Sequence, residues 1–291
     1  MSAGMSNGFA CPGLAELANG IDRRAAMPAV VRAVLEVCDS PDGDARTVAR
    51  LVLTDQGLTA NVLKLANSAA YGHRRRIATV SEAVVVMGLD SLKSLVFSCH
   101  AAPVLSGPLP GYAMRRGDLW SHSLRVAHLS RGLRGGGGTE AEEAFIAGLL
   151  HDVGKVALSE VLDDSFERLT AGAQNHRSSL SDGEREMVGV DHAEVGARVA
   201  TIWNLPDRLI EAIGLHHRPD QAAEHPQLVA CVAVADRAIN AHAAGVPPDD
   251  LHYLVAPETL ALTGHDATSL GELTAAVAAA TDADPLTEWD R

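Results

Sequence analysis

An all-α fold in two helical subdomains is what this sequence predicts, and three observations carry the prediction. Apolar residues recur at three- and four-residue spacing along most of the chain. No stretch sustains the two-residue alternation of a half-buried strand. The breaks between periodic stretches are clusters of Pro, Gly and Asp, the residues that stop helices.

Residues 1–19 read as a flexible lead, because MSAGMSNGFACPG has neither a charged n-region nor an apolar h-region. The first subsequent helix spans 28–38: Pro28 suits a first turn, and Val31, Val34, Leu35 and Cys38 share one face. After the punctuation at Asp39 to Asp44, helices follow at 45–53 and 56–70, the second opened by Asp55 and Gln56 and carrying Leu58, Val62, Leu65 and Ala69. Residues 79–88 and 90–104 form two more, separated by Gly88 as a stop. The segment Ser106-Gly-Pro-Leu-Pro-Gly111 cannot continue a helix, and it divides the subdomain at 20–104 from one at 111–245. Beyond it, helices are expected at 116–133, 140–150, 151–162, 164–175, 183–187, 191–203, 206–216 and 226–243, with C-terminal helices at 248–254 and 267–281 within 246–291. The four glycines at 135–138 make a loop.

Composition narrows the function. A net charge of −13 leaves no extended nucleic-acid surface, since that grip needs basic groups over phosphates. The four cysteines are scattered with no CxxC pair, which suits reduced thiols in a cytoplasmic protein. No apolar run approaches the ~20 residues that span a bilayer.

The chemistry gathers in the second half. His151 and Asp152 are adjacent; on a helix they would diverge by about 100° yet both reach a metal off its end. Lys155, at i+4 from His151, is placed to hold a phosphate oxygen or neutralise a ligand carboxylate, and Gly154 lets another backbone or a substrate approach. Asp152 and Lys155 are thus the candidate catalytic groups. His122 and Asp236 lie beside apolar helix faces, where a lone histidine is more often a hydrogen-bonded rim residue, and a buried aspartate needs a cation or a partner. His192, His216 and His217 could help finish a metal site, although a His-His pair also suits a helix C-terminus. In the first half, Asn67 reads as a helix-end residue satisfying backbone groups, and His73-Arg74-Arg75-Arg76 as a basic loop. That loop is solvated or a docking point for an acidic partner or nucleotide phosphate.

Two sets of motifs resemble the HDOD family, which belongs to the HD phosphohydrolase superfamily. Leu65-Ala-Asn-Ser-Ala-Ala-Tyr-Gly72 with Ser81-Glu-Ala83 and Met87-Gly-Leu89 is similar to its N-terminal region. Phe145-Ile-Ala-Gly-Leu-Leu-His-Asp-Val-Gly-Lys155, Asp191-His-Ala-Glu-Val-Gly196, Trp203-Asn-Leu-Pro206 and Leu215-His-His-Arg-Pro219 resemble its HD-like helical bundle. Together they cover about residues 20–240. The resemblance implies a bacterial signal-transduction protein working through a signalling protein partner or a nucleotide second messenger. It also implies a metal site of His122, His151, Asp152 and Asp236 holding one or two divalent ions, iron, manganese or another. The alternative is a metal-dependent phosphohydrolase or phosphodiesterase acting on a nucleotide or cyclic nucleotide. The related HD-GYP phosphodiesterases carry a Gly-Tyr-Pro segment after the double histidine, where this chain has Arg218-Pro219-Asp220.

Overall fold

Several helix starts follow short polar residues that the sequence places ahead of apolar runs. The computed structural model describes residues 13–24, 27–40, 42–68, 71, 75–135, 137–162, 179–245 and 255–282. The first five helices are α1 (Leu14–Arg24), α2 (Ala29–Asp39), α3 (Ala45–Leu53), α4 (Gln56–Ala66) and α5 (Val80–Leu105). Asp44 caps α3 through the Arg46 and Thr47 amides, Asp55 caps α4 through Leu58, and Thr79 caps α5 through Glu82. Gly88 breaks α5 internally with φ 84 and ψ 171, so the stop expected there takes the form of a kink between two helical stretches.

Past a short 3-10 turn at Pro110–Tyr112 come α6 (Asp118–Leu133), α7 (Thr139–Leu150), α8 (Gly154–Leu162), α9 (Leu180–Val188), α10 (His192–Ile202) and α11 (Asp207–Leu215). After them run α12 (Pro226–Ala243), α13 (Pro257–Ala261) and α14 (Ala267–Asp282). No strand occurs among the described residues, and none of their helices is long and apolar enough to cross a membrane. The helices expected at 164–175 and 248–254 lie outside the described residues.

Three expectations are corrected. Residues 14–19 belong to α1, not to a flexible lead, because Leu17, Ala18 and Ile21 are buried in the core. That helix packs on α8 and α10 of the C-terminal half, so the chain begins its described course as a strap over the histidine-bearing bundle. Residues 151–153 form a turn between α7 and α8, so His151 and Asp152 sit at a corner between two helices. Helix α4 stops at Ala66 short of residue 70, because the Asn67 amide takes the Leu63 carbonyl.

The core runs without a break through both halves. Helices α2 to α5 pack on one another, α5 packs along α7, and α6, α7 and α12 form the centre of the second half. Trp120, Phe97 and Phe145 are among the largest wholly buried side chains. Helix α14 covers α6 and α12 through a smaller apolar cluster around Leu270. The result fixes α6, α7 and α12 side by side, and each of them, or the turn at its end, contributes to the site.

Candidate metal centre

Three elements bring the four expected ligands to one place. His122 comes from α6, His151 and Asp152 from the turn after α7, and Asp236 from α12. His122 Nε2 lies 3.3 Å from His151 Nε2, 3.1 Å from Asp236 Oδ1 and 3.6 Å from Asp152 Oδ2. His151 Nε2 lies 3.3 Å from Asp152 Oδ2 and 3.6 Å from Asp236 Oδ1. Ligand atoms bound at about 2.1 Å around one ion are separated by about 3.0 Å at octahedral edges and about 3.4 Å at tetrahedral ones. Five of the edges of this cluster therefore match a single coordination shell.

The second histidine set gathers on the other oxygen of Asp152. His192, at the start of α10, places Nε2 3.2 Å from Asp152 Oδ1, and His216, at the end of α11, places Nε2 4.0 Å from it. His217 Nε2 is 2.8 Å from His192 Nε2. Asp152 thus offers one carboxylate oxygen to each cluster, Oδ2 to the first and Oδ1 to the second.

Each deeply buried imidazole is oriented from behind. His151 Nδ1 lies 2.7 Å from the Gly148 carbonyl, and His216 Nδ1 2.7 Å from the Ile213 carbonyl. His192 Nδ1 meets the Glu184 carboxylate at 2.7 and 2.9 Å, and its backbone N–H donates to Glu184 Oε2 at 2.8 Å. Such contacts put the proton on Nδ1 and leave the Nε2 lone pair facing the site. Tyr112 donates to Glu184 Oε1 at 2.8 Å and completes the support.

These residues fit a divalent ion. Asp152 Oδ1 and His216 Nε2 are buried with no hydrogen-bond partner, an expensive arrangement unless a cation answers both. Pairs of Nε2 atoms at 2.8 and 3.3 Å likewise require a proton or a cation between them. Burial pushes His151 down, but the Asp152 and Asp236 carboxylates outweigh it and hold the ring up at about 10. His192 is pushed down by burial and raised to about 9 chiefly by Glu184. Burial and neighbouring histidines keep His216 well below its ordinary value, and the same causes lower His217 to about 4. Burial opposes the ionised forms of Asp152 and Asp236, yet the surrounding histidines, with Lys155 for Asp152, hold both carboxyls well below the usual range. The cluster attracts positive charge, and binding a cation releases the protons that otherwise supply it.

Lys155 Nζ lies 2.6 Å from Asp152 Oδ2, with burial opposing its charge and the Asp152 and Asp236 carboxylates raising it overall. Gly154 is needed for a different approach from a substrate's. A Cβ there would stand 2.0 Å from the His192 carbonyl oxygen, so glycine lets α8 cross the start of α10. Asp191 caps α10 through the Glu194 amide and pairs with Arg185, which fixes the turn into His192.

The structure assembles His122, His151, Asp152, Asp236, His192, His216, His217 and Lys155, and it leaves the N-terminal candidates apart. Asn67 accepts from Ile77 N–H at 2.7 Å and donates to the Leu63 and Ile77 carbonyls at 2.7 and 2.8 Å, the backbone-satisfying role expected of it. Arg75 and Arg76 are exposed, and Arg74 lies outside the described residues. Sequence reasoning missed Glu184 and Tyr112. The one available signal was an acid eight residues before His192.

The HDOD domain model matches residues 25–219. An uncharacterized protein of Treponema pallidum (strain Nichols) is 31% identical over 228 residues, 77% of this chain and 44% of that protein. Ribonuclease Y of Thermus thermophilus is 31% identical over 144 residues, 49% of this chain and 20% of that protein. The chain thus spans less than half the length of these curated relatives. A solved HDOD domain protein of unknown function from Geobacter sulfurreducens superposes with a TM-score of 0.73 at 26% identity, covering 92% of this chain and 96% of that one. With its motifs, its helical architecture and the span of the match in agreement, this chain belongs to the HDOD domain family.

Proposed function

We propose that this chain is a bacterial regulatory protein whose HD-like half is a divalent-metal phosphoesterase centre for a nucleotide or cyclic nucleotide. The observation that carries the reading is Asp152, whose two oxygens face two separate donor clusters. His122, His151, Asp236 and Asp152 Oδ2 would hold one ion; His192, His216, His217 and Asp152 Oδ1 would hold the other. Imidazole with carboxylate suits iron, manganese and other divalent ions alike. A bound ion supplies Lewis acidity toward a phosphoryl oxygen and acidifies water for attack on phosphorus.

The protein's own groups do the positioning. His151, Asp152, His192 and His216 are buried, whereas the side chains of His122 and Lys155 keep 15% and 14% exposure and rim the approach. On this reading the Lys155 ammonium would hold a non-bridging phosphate oxygen and stabilise the charge that grows as the ester bond breaks. Likeness to a ribonuclease over half the chain supports a phosphodiester as the bond class.

A second reading, in which the metal centre sets a protein-docking surface without turnover, is favoured by the path from His151 to the N-terminal half. Helix α7, which ends at His151, packs along α5, and its Glu142 accepts from Ser91 at 2.8 Å. The deciding experiment assays protein loaded in turn with iron, manganese and zinc against mono-, di- and cyclic nucleotides. Hydrolysis that disappears in Lys155→Met while bound metal is retained supports the phosphoesterase reading. Stoichiometric metal with no hydrolysis under any ion overturns it in favour of the docking reading.

A further inference from the structure

Asp236 enters the first cluster from α12, and a single oxygen of its carboxylate faces both histidines there. Oδ1 lies 3.1 Å from His122 Nε2 and 3.6 Å from His151 Nε2. The same oxygen accepts a hydrogen bond of 2.7 Å from the side-chain amide of Asn240, four residues further along α12. His151 is steadied by the Gly148 carbonyl and Asp152 by the Lys155 ammonium. Asn240 gives Asp236 the corresponding support, from a position that no motif of the sequence marks.

We propose that Asn240 is a positioning residue for the first ion: it aims Asp236 Oδ1 into the cluster without itself touching the metal, an assignment that rests on the metal reading of this site. A carboxylate can turn about its last side-chain bond, and a donor held on one oxygen stops that turn and decides which oxygen meets the ion. The spacing of four residues on one helix face sets the donor in place. A carboxylate only accepts, so the amide presents its N–H to Asp236. That the donor is uncharged matters, because an ammonium or guanidinium there would compete with the ion for the same oxygen, whereas an amide orients the oxygen and leaves its charge available. The Asp236 side chain keeps only 8% exposure, so water has little room to take the amide's place. Asn240 itself is exposed, and asparagine is among the weaker helix formers. Neither core packing nor helix propensity therefore accounts for asparagine at this position.

The test uses the full chain with cobalt(II) as the probe, its affinity read by competition with a chelator and its coordination by visible absorption. Asn240→Leu keeps the bulk of the side chain and removes the donor. It should weaken cobalt binding about 10- to 100-fold at one site and change the cobalt absorption bands, while the melting temperature of the metal-free protein holds. The same loss should appear in a His217→Ala background, which strips a donor from the second cluster and so places the effect at the first. Asn240→Gln, whose amide can reach the same oxygen on a longer arm, should recover part of the affinity, and Asn240→Lys should bind cobalt more weakly than wild type. Equal cobalt affinity in wild type and Asn240→Leu overturns the proposal and leaves the metal reading standing, as does a loss that Asn240→Gln does nothing to relieve. Should Asn240→Leu fail to fold, unchanged affinity in Asn240→Lys overturns the proposal instead. A wild type that binds no cobalt overturns both the proposal and the metal reading.

Discussion

Adding one methyl group at Gly154 should dismantle half of the proposed metal centre from a position that touches none of its His or Asp side chains. A Cβ at Gly154 would lie 2.0 Å from the His192 carbonyl oxygen and 2.8 Å from the Gly196 nitrogen, both backbone atoms that cannot rotate away. Real Cβ contacts stay at or beyond 3.0 Å, so α8 and α10 must part by 3.0 − 2.0, about 1 Å. His192 opens α10 and sits 3.2 Å from Asp152 Oδ1, which is anchored on the α8 side of the crossing. A displacement of that size exceeds the ±0.2 Å or so that ligand distances tolerate. Gly154→Ala should therefore lose metal at the proposed second site of His192, His216 and His217, while the first cluster, on α6, α7 and α12, keeps its geometry. Overpacking of this kind costs about 1–3 kcal/mol, which lowers the melting temperature by several degrees. Metal content by elemental analysis and the melting temperature by calorimetry read the two effects. Gly88→Ala is the control: it is strained by φ 84, but a Cβ there meets nothing within 4 Å, so stability should fall and metal content should hold. Wild-type metal content and melting temperature in Gly154→Ala would refute the reasoning.

Three further outcomes follow from single contacts. Glu184→Gln keeps the shape but weakens the acceptor behind His192, so affinity for the second ion should fall about 10- to 100-fold while Glu184→Asp restores part of it; equal affinity in both variants would dismiss the support role. Asn67→Ala strips the partner from Ile77 N–H and two carbonyls and should cost about 2–3 kcal/mol in denaturant unfolding with metal content unaltered; a loss within error of zero would show these bonds to be replaceable by water. His100 is held down to about 4 by burial, so between about pH 6.5 and 4 the unfolded chain takes up a proton that the folded chain refuses. That term is neutral above the unfolded value and destabilises progressively as pH falls through the window, to a limit on the order of 3 kcal/mol. Urea midpoints at about pH 7 and pH 5 should differ less in His100→Gln than in wild type, and an identical difference would remove His100 from the acid limb.

The His and Asp cluster was legible in the sequence because its chemistry resides in residue identity. Seven His and Asp positions that sequence spacing and family resemblance single out do face one another in the structure, even though they come from five separate helices and turns. One helix start was legible for the same local reason: Asp55, expected to open α4, bonds the Leu58 amide, while the caps made by Asp44 and Thr79 emerge from the structure. What the sequence hid was tertiary. Glu184 looks like any helical glutamate until α9 and α10 are folded together, and Tyr112 becomes its partner only across 72 residues. Helix α1 follows a Gly-rich segment that reads as unstructured, and its apolar face makes sense only once α8 and α10 are there to cover it. Gly154 was read as a point of close approach for another backbone or a substrate, and the structure shows the backbone, that of His192.

The central claim is that His122, His151, Asp152, Asp236, His192, His216 and His217 form one metal-binding unit bridged by Asp152. The most direct test is elemental analysis of freshly purified wild type beside Asp152→Ala, with folding checked by circular dichroism. Wild type should carry one or two divalent ions per chain, and the folded variant should lose them together because both clusters share that carboxylate. A wild type that emerges without metal and takes up none on loading, or an Asp152→Ala variant that keeps its full complement, would contradict the claim.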